Sequence, residues 1–241
     1  MKRIAIIPAR GGSKRIPRKN IKNLCGKPII AYVLDAVKES NLFDVIHVST
    51  DSNEIATVVK NLGFSVDFMR AQKLSDDHTP IMPVLKWVLE QYKDRDVDFD
   101  EVATIMPCAP FIETGDLVNA SNLLRSGNYN SPVLAVSAYP APIEWAFSRE
   151  DSGLLKPIQK EMLEKRSQDL KEHYFDTGSF AFFSSQYILN SSGAGISNSY
   201  IGCIIDKYKS IDIDNMDDWK YAEYLMLGLI SLEKSNPLLL N

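Results

Sequence analysis

IIPARGGSKRIPRKN, Ile6 to Asn20, runs an apolar strand straight into a glycine-containing loop crowded with cations. Ile4 to Ile7 can sit buried in a sheet and hold the loop still, while Gly11 and Gly12 let the backbone come close to an anion. Arg10, Lys14, Arg15, Arg18 and Lys19 gather positive charge over one short stretch. An anion relieves that repulsion, so the stretch reads as a seat for a polyphosphate, with a solvated basic face as the plainer alternative. It does not fit GxxxxGK[ST], and no GxGxxG follows the strand, which argues against a Walker ATPase and a dinucleotide dehydrogenase.

Outward from this loop, short β-rich runs alternate with longer helix-period stretches. That is the pattern of an α/β fold with a doubly wound, mostly parallel sheet covered by helices on both faces. The first strand spans Arg3 to Pro8, and Pro28 can open a helix through Ser40 whose stripe is Ile29, Ile30, Val33, Leu34 and Val37. Val45 to Ser49 reads as a strand, followed by Asp51 or Ser52 as cap of a helix that Gly63 stops. Val66 to Met69 reads as a third strand and Pro80 to Tyr92 as a helix. Glu101 to Met106 and Pro132 to Ser137 follow as strands, separated by a helix from Glu113 to Ser126 that Gly127 ends. Ser179 to Phe183 and Tyr208 to Ile213 complete the strands, and Asn215 to about Ser231 the terminal helix. Between Tyr139 and Tyr174 the alternation breaks, too long for an ordinary connection. Residues 1–241 therefore read as a single domain with an insertion at about 139–175 that serves substrate or subunit contacts.

With 45% hydrophobic and 24% charged residues the 241-residue chain sits near soluble globular averages. A net charge of -4 argues against a nucleic-acid partner, because long phosphate backbones are met by broadly basic surfaces. Cys25, Cys108 and Cys203 form no CxxC and cannot all pair, which suits a reduced cytoplasm. MKRIAIIPAR mimics the start of a signal peptide, but Pro8 and Arg10 cut its apolar run short. No stretch approaches the ~20 apolar residues of a membrane span.

Ligands of open α/β sheets lie beyond the carboxyl ends of the strands. The residues there are Arg10, Ser13, Lys14, Lys19 and Asn20; Thr50 and Asp51; Arg70; Pro107, Cys108 and Ala109; Ser137 and Tyr139; and Asp212 and Asp214. In SIDID, strand alternation puts Asp212 and Asp214 on one face within reach of one cation, and such a pair suits Mg²⁺ with phosphate oxygens and water completing the shell. Alternatively Asp214 only caps the terminal helix. Beside a cationic phosphate loop the metal reading gains, since a nucleoside triphosphate needs both charge types. In RSQDL and HYFDTGSF, Arg166 can pair with a carboxylate while Gln168 and Asp176 bond hydroxyls, as a polar, acidic sugar would require; ordinary loop polarity is the alternative. His47, His78 and His173 show no ligand spacing, and Cys108 has no identifiable partner base, so neither a zinc site nor a nucleophile is expected.

IIPARGGSKRIPRKN resembles the signature of the acylneuraminate cytidylyltransferases, the CMP-sialic acid synthetase family. VSTDS, FMRAQKLSDDHT, MPCAPF, RSQDL and SIDID follow in that family's order, and YPAPIEWAF with RSQDL and HYFDTG is most similar to the branch acting on pseudaminic acid. The resemblance implies a Rossmann-like nucleotidyltransferase fold, a homodimer, Mg²⁺, and transfer of CMP from CTP to the C2 hydroxyl of a nonulosonic acid. Pseudaminic acid is the first candidate, legionaminic or N-acetylneuraminic acid the alternative, and a non-catalytic nucleotide- or RNA-binding module a remote one that leaves SIDID unexplained. Carried over by position, it makes Ala9, Arg10, Gly11, Gly12, Ser13, Lys14, Lys19, Asn20, Arg70 and Cys108 nucleotide-binding, with Arg10 and Lys14 catalytic. It likewise makes Arg166, Gln168 and Asp176 sugar-binding and Asp212 and Asp214 metal-binding. MPCAPF and the TGS after Asp176 depart from the family's commoner forms.

Overall fold

Ile4, Ala5, Ile6 and Ile7 have no solvent exposure, because the strand they form, β1 (Arg3–Pro8), lies inside a sheet covered on both faces. The structure, a computed structural model, describes residues 1–197 and 199–235. After the basic loop come a small hairpin, β2 (Asn23–Leu24) and β3 (Lys27–Pro28), then α1 (Ile29–Glu39), β4 (Val45–Ser49) and α2 (Asn53–Asn61). Next follow α3 (Ile81–Lys93), β5 (Glu101–Ile105), α4 (Thr114–Ser126) and β6 (Val133–Ala138). A second hairpin, β7 (Phe147–Arg149) and β8 (Leu155–Pro157), precedes β9 (Tyr174–Ser184), α5 (Ser185–Asn190), β10 (Ile201–Ile204) and α6 (Met216–Ser235).

Six strands form the main sheet in the order β10-β6-β9-β5-β1-β4. β1 pairs in parallel with β4 and β5, and β10 in parallel with β6, while β9 runs antiparallel between β5 and β6. The apolar stripes of α1, α2 and α4 (Val33, Val59 and Leu117 among them) cover one face. Leu85 and Val88 of α3 and Ile188 of α5 cover the other. Helix caps follow local chemistry: the Ser52 hydroxyl accepts from Ile55 N at 3.4 Å, and Pro28 and Pro80 precede α1 and α3 where no amide donor is needed.

A third apolar cluster ties the functional loops to each other. Trp219, Ala222 and Met226 of α6 pack with Ile16 of the basic loop, Leu24, Ile29, Phe111 and Ile213, and Ile16, Ile213 and Trp219 are each 1% exposed. Two loops some two hundred residues apart in sequence therefore share one anchor.

Two strand expectations are corrected and a third is extended. Val66 to Met69 is irregular: β4 is the edge of the sheet, and the apolar alternation comes from Phe68 packing edge-on against Trp87 and Tyr92 under α3. Tyr208 to Ile213 is a single 3-10 turn, Lys207–Lys209, followed by irregular chain; Ile211 and Ile213 alternate because they anchor in the third cluster, and the late strand is β10 instead. Ser179 to Phe183 belongs to an eleven-residue strand that begins at Tyr174 and runs antiparallel.

Candidate active site

At the carboxyl ends of β1 and β5, beside β9, a cavity of about 470 Å³ opens, and Thr50, Asp51, Ser137 and Tyr139 at the ends of β4 and β6 do not line it. Its lining includes Arg10, Ser13, Lys14, Arg15, Lys19 and Asn20 from the basic loop, Arg70, Cys108, and Asp212 and Asp214. The structure thus brings together most of the sequence-predicted nucleotide residues and both aspartates. Ala9, Gly11 and Gly12 stand beside the cavity without lining it.

The basic loop is shaped from below. Gly11 N donates to Asp51 Oδ1 at 2.9 Å, and a Cβ added at Gly11 would stand 3.0 Å from Ser52 Cβ, so the loop rests on the β4–α2 connection where only glycine fits without displacement. Asn20, 6% exposed, donates Nδ2 to the Arg10 carbonyl at 2.9 Å and accepts from Cys108 Sγ at 3.2 Å. Asn20 and Cys108 are therefore struts of the loop. Burial raises the Cys108 thiol to about 12, with Lys19 opposing and the two aspartates reinforcing, so it stays a neutral thiol. Arg70 is 7% exposed and donates Nε to Ser49 Oγ at 3.0 Å and Nη2 to Ser49 O at 2.6 Å. Burial lowers its guanidinium to about 10, against the pull of Asp51, and it remains a cation at neutral pH.

The acidic segment meets the same loop. Lys19 Nζ donates to Ile213 O at 2.7 Å and lies 3.5 Å from Asp214, while Arg15 Nη1 is 2.9 Å from Asp214. Asp214 does not cap α6. The Asn215 side chain accepts from Asp217 N and Asp218 N, and Asp218 returns bonds to Asp214 N and Asn215 N, so the helix start is satisfied without it. Desolvation, and next the charge of Asp214, raise the Asp212 carboxyl. Two crowded carboxylates, one of them destabilised as an anion, are a donor set that a hard divalent cation suits, with phosphate oxygens and water as its remaining ligands. Among the described residues no group of three or more His, Cys, Asp or Glu is arranged to hold a metal by itself.

Lys209 fixes the approach to this segment. It is 5% exposed and reaches Asp116 at 2.9 Å and Glu113 at 3.0 Å at the start of α4. Burial opposes its charge, but the bonds to Asp116 and Glu113 outweigh that and its pKa is raised.

The far wall comes from a break in β9. Leu134 faces Ala181, yet Val136 already faces Asp176, so Thr177, Gly178 and Ser179 loop out of register. Gly178, at φ +64°, makes the turn, and all three residues line the cavity. Thr177 Oγ1 donates to Ala135 O at 3.0 Å, and Ser179 O accepts from Met106 N at 2.8 Å. Sequence reasoning missed Thr177 and Ser179 as lining residues; the DTGS run at a strand start was their only signal. It also missed Asp77, which pairs with Arg10 and Lys14 although the SDD of its motif was in view.

The three sugar-binding candidates stand apart. Arg166 is exposed and pairs with Asp169 at 2.9 Å, Gln168 lies in the adjoining turn Ser167–Asp169, and neither lines the cavity. Asp176 starts the bulge, its Oδ1 accepting from Gly178 N at 2.9 Å, and it shapes the wall without joining the lining.

A mostly parallel sheet with a cation-lined, carboxylate-bearing cavity at its carboxyl edge is the architecture of a nucleotidyltransferase. The chain belongs to the cytidylyltransferase family, whose model matches residues 4–191. A pseudaminic acid cytidylyltransferase of Campylobacter jejuni is 32% identical over 93% of this chain and 96% of its own length. A CMP-N,N'-diacetyllegionaminic acid synthase of Legionella pneumophila is 31% identical over 94% and 97%. Among solved structures, CMP:2-keto-3-deoxy-manno-octonic acid synthetase complexed with CTP shares the fold at a TM-score of 0.70 and 17% identity, covering 95% of this chain and 100% of that one.

Proposed function

We propose that this cytidylyltransferase moves CMP from CTP onto the C2 hydroxyl of a nonulosonic acid, pseudaminic acid, and releases pyrophosphate. What carries the choice of sugar is the 32% identity to the Campylobacter jejuni pseudaminic acid enzyme over nearly the whole of both chains. A 31% identity to the Legionella pneumophila synthase over a similar span supports legionaminic acid as the second reading.

In the proposed reaction the sugar oxygen attacks the α-phosphorus, a new O–P bond forms, and the bond to the bridging oxygen of the β-phosphate breaks. The hydroxyl proton leaves to solvent or a basic oxygen, and pyrophosphate departs with the negative charge. Arg10 and Lys14 stabilise that charge, and Lys19 and Asn20 keep the loop aimed. Asp212 and Asp214 would hold Mg²⁺, which supplies polarisation of the phosphate oxygens when bound. Arg166, Gln168 and Asp176 recognise the sugar acid from the insertion's return path, which requires the insertion to lean toward the cavity.

The β7–β8 hairpin supports a homodimer in this reading. Phe147, Leu154, Leu155 and Ile158 are 48%, 57%, 55% and 65% exposed, a costly arrangement unless a second copy covers them. No described helix is long and apolar enough to cross a membrane. The free thiols Cys25, Cys108 and Cys203 fit action in the reducing cytoplasm. Parallel assays of pyrophosphate release, with CTP and each of pseudaminic, legionaminic and N-acetylneuraminic acid, test the reading. The highest kcat/KM is expected with pseudaminic acid, and a clear preference for another acid overturns that assignment.

A further inference from the structure

One carboxylate bridges the two cations proposed to carry the transferred charge. Asp77 Oδ1 accepts from Arg10 Nη1 at 2.6 Å, and its Oδ2 from Lys14 Nζ at 2.5 Å. Arg10 Nη1 also donates to the Asp76 carbonyl at 2.7 Å, so the loop before α3 is stapled to the basic loop at two points. That loop is organised from within: the Asp76 carboxylate accepts from His78 N, Thr79 N and Thr79 Oγ1, which leaves the neighbouring Asp77 side chain to cross the cavity. Asp77 lines the same cavity as Lys14 and Asp212.

Two carboxylate oxygens on two cationic donors reproduce what two oxygens of a phosphate would offer the same groups. The two arrangements compete, because Asp77 kept on these cations would stand against a triphosphate of its own sign. We propose that Asp77 is a built-in competitor for the triphosphate seat, holding Arg10 and Lys14 in place in the empty enzyme and giving them up when CTP binds. Its effect is to weaken nucleotide binding and to hasten the exchange of pyrophosphate for the next CTP. The proposal rests on the reading of Arg10 and Lys14 as phosphate ligands, and the experiment separates the two.

CTP binding to the full-length protein is measured by calorimetry with Mg²⁺ present, for wild type, Asp77→Asn, Asp77→Ser, Lys14→Ala and the Asp77→Asn/Lys14→Ala pair. Removing the competing carboxylate is expected to tighten CTP binding about three- to tenfold in both Asp77 variants, the size of one or two exposed ion pairs. The gain should largely vanish in the Lys14→Ala background. Unchanged or weaker CTP binding in both Asp77 variants, with an unaltered melting temperature, overturns the competitor. If Lys14→Ala by itself binds CTP like wild type, the phosphate seat falls and the competitor with it. If Lys14→Ala weakens binding while the Asp77 variants gain nothing, the seat stands and only the competitor is lost.

Discussion

Lys14 is 81% exposed and its ion-pair partner is Asp77, so its charge contributes little to the folded state. Lys14→Ala is therefore expected to melt like wild type while kcat/KM for CMP transfer drops about a hundredfold or more, the scale of one lost charge-stabilising donor. Pyrophosphate release measured beside a thermal melt checks both halves. Asp212→Asn should raise the Mg²⁺ concentration for half-maximal activity, and should also weaken Mn²⁺ binding followed by electron paramagnetic resonance without substrate. An unchanged metal titration removes Asp212 from the proposed metal site. His47 shows the opposite kind of residue, a titratable group that does no chemistry. It is fully buried between Phe68 and Tyr92, with Nδ1 3.2 Å from the Tyr92 hydroxyl. Burial lowers its pKa to about 4 against the pull of Asp67. The unfolded chain, titrating near the ordinary 6.5, binds the extra proton first, so stability is full above that value and falls as pH drops toward 4, by roughly 3 kcal/mol over the window. Urea unfolding at pH 7 and pH 5 should show the loss, and His47→Gln should lack it. At this scale the cations and the aspartate pair were legible because their charge pattern needs an explanation wherever they fold. Asp77 was not, since a second acidic residue in a loop has an innocent reading until its partners are known.

Among the elements, strands flanked by strong turn signals read correctly, and apolar alternation misled where something other than a ladder produced it. Ile211 and Ile213 alternate because both pack with α6, and Phe68 is apolar because α3 covers it. The direction of β9 lay beyond the pattern altogether: Phe180, Ala181, Phe182 and Phe183 are apolar on both faces whichever way the strand runs. The third cluster gives a prediction that belongs to elements and not to single groups. Trp219→Ala should cost about 3–5 kcal/mol as a large buried cavity. Because Ile16 and Ile213 share that cavity, hydrogen exchange should rise together in the basic loop and in residues 210–214, while β5 and β6 away from the cluster keep their protection. Exchange confined to α6 would show that the two loops hold themselves.

For the whole molecule, the insertion is the part the sequence marked and could not resolve. Its short turns and its hairpin leave apolar side chains outside the main sheet, and composition alone did not say whether they close on their own core or on another subunit. Light scattering should give twice the chain mass, and Ile158→Glu with Phe147→Ser should give the single mass with the far-ultraviolet spectrum retained. A wild-type monomer would refute the dimer. The insertion also leaves and rejoins the sheet at one spot: Ala138 is registered with Tyr174, and Tyr139 N donates to His173 O at 3.0 Å. A segment whose two ends are already clasped can be lengthened, shortened or exchanged at small entropic expense, since loop closure depends only weakly on length. The neck therefore makes the insertion a replaceable cassette. Under the proposed reading, in which the insertion meets the sugar, rewriting that cassette would change the sugar admitted and leave the basic loop and the Asp212–Asp214 segment beneath it as they are.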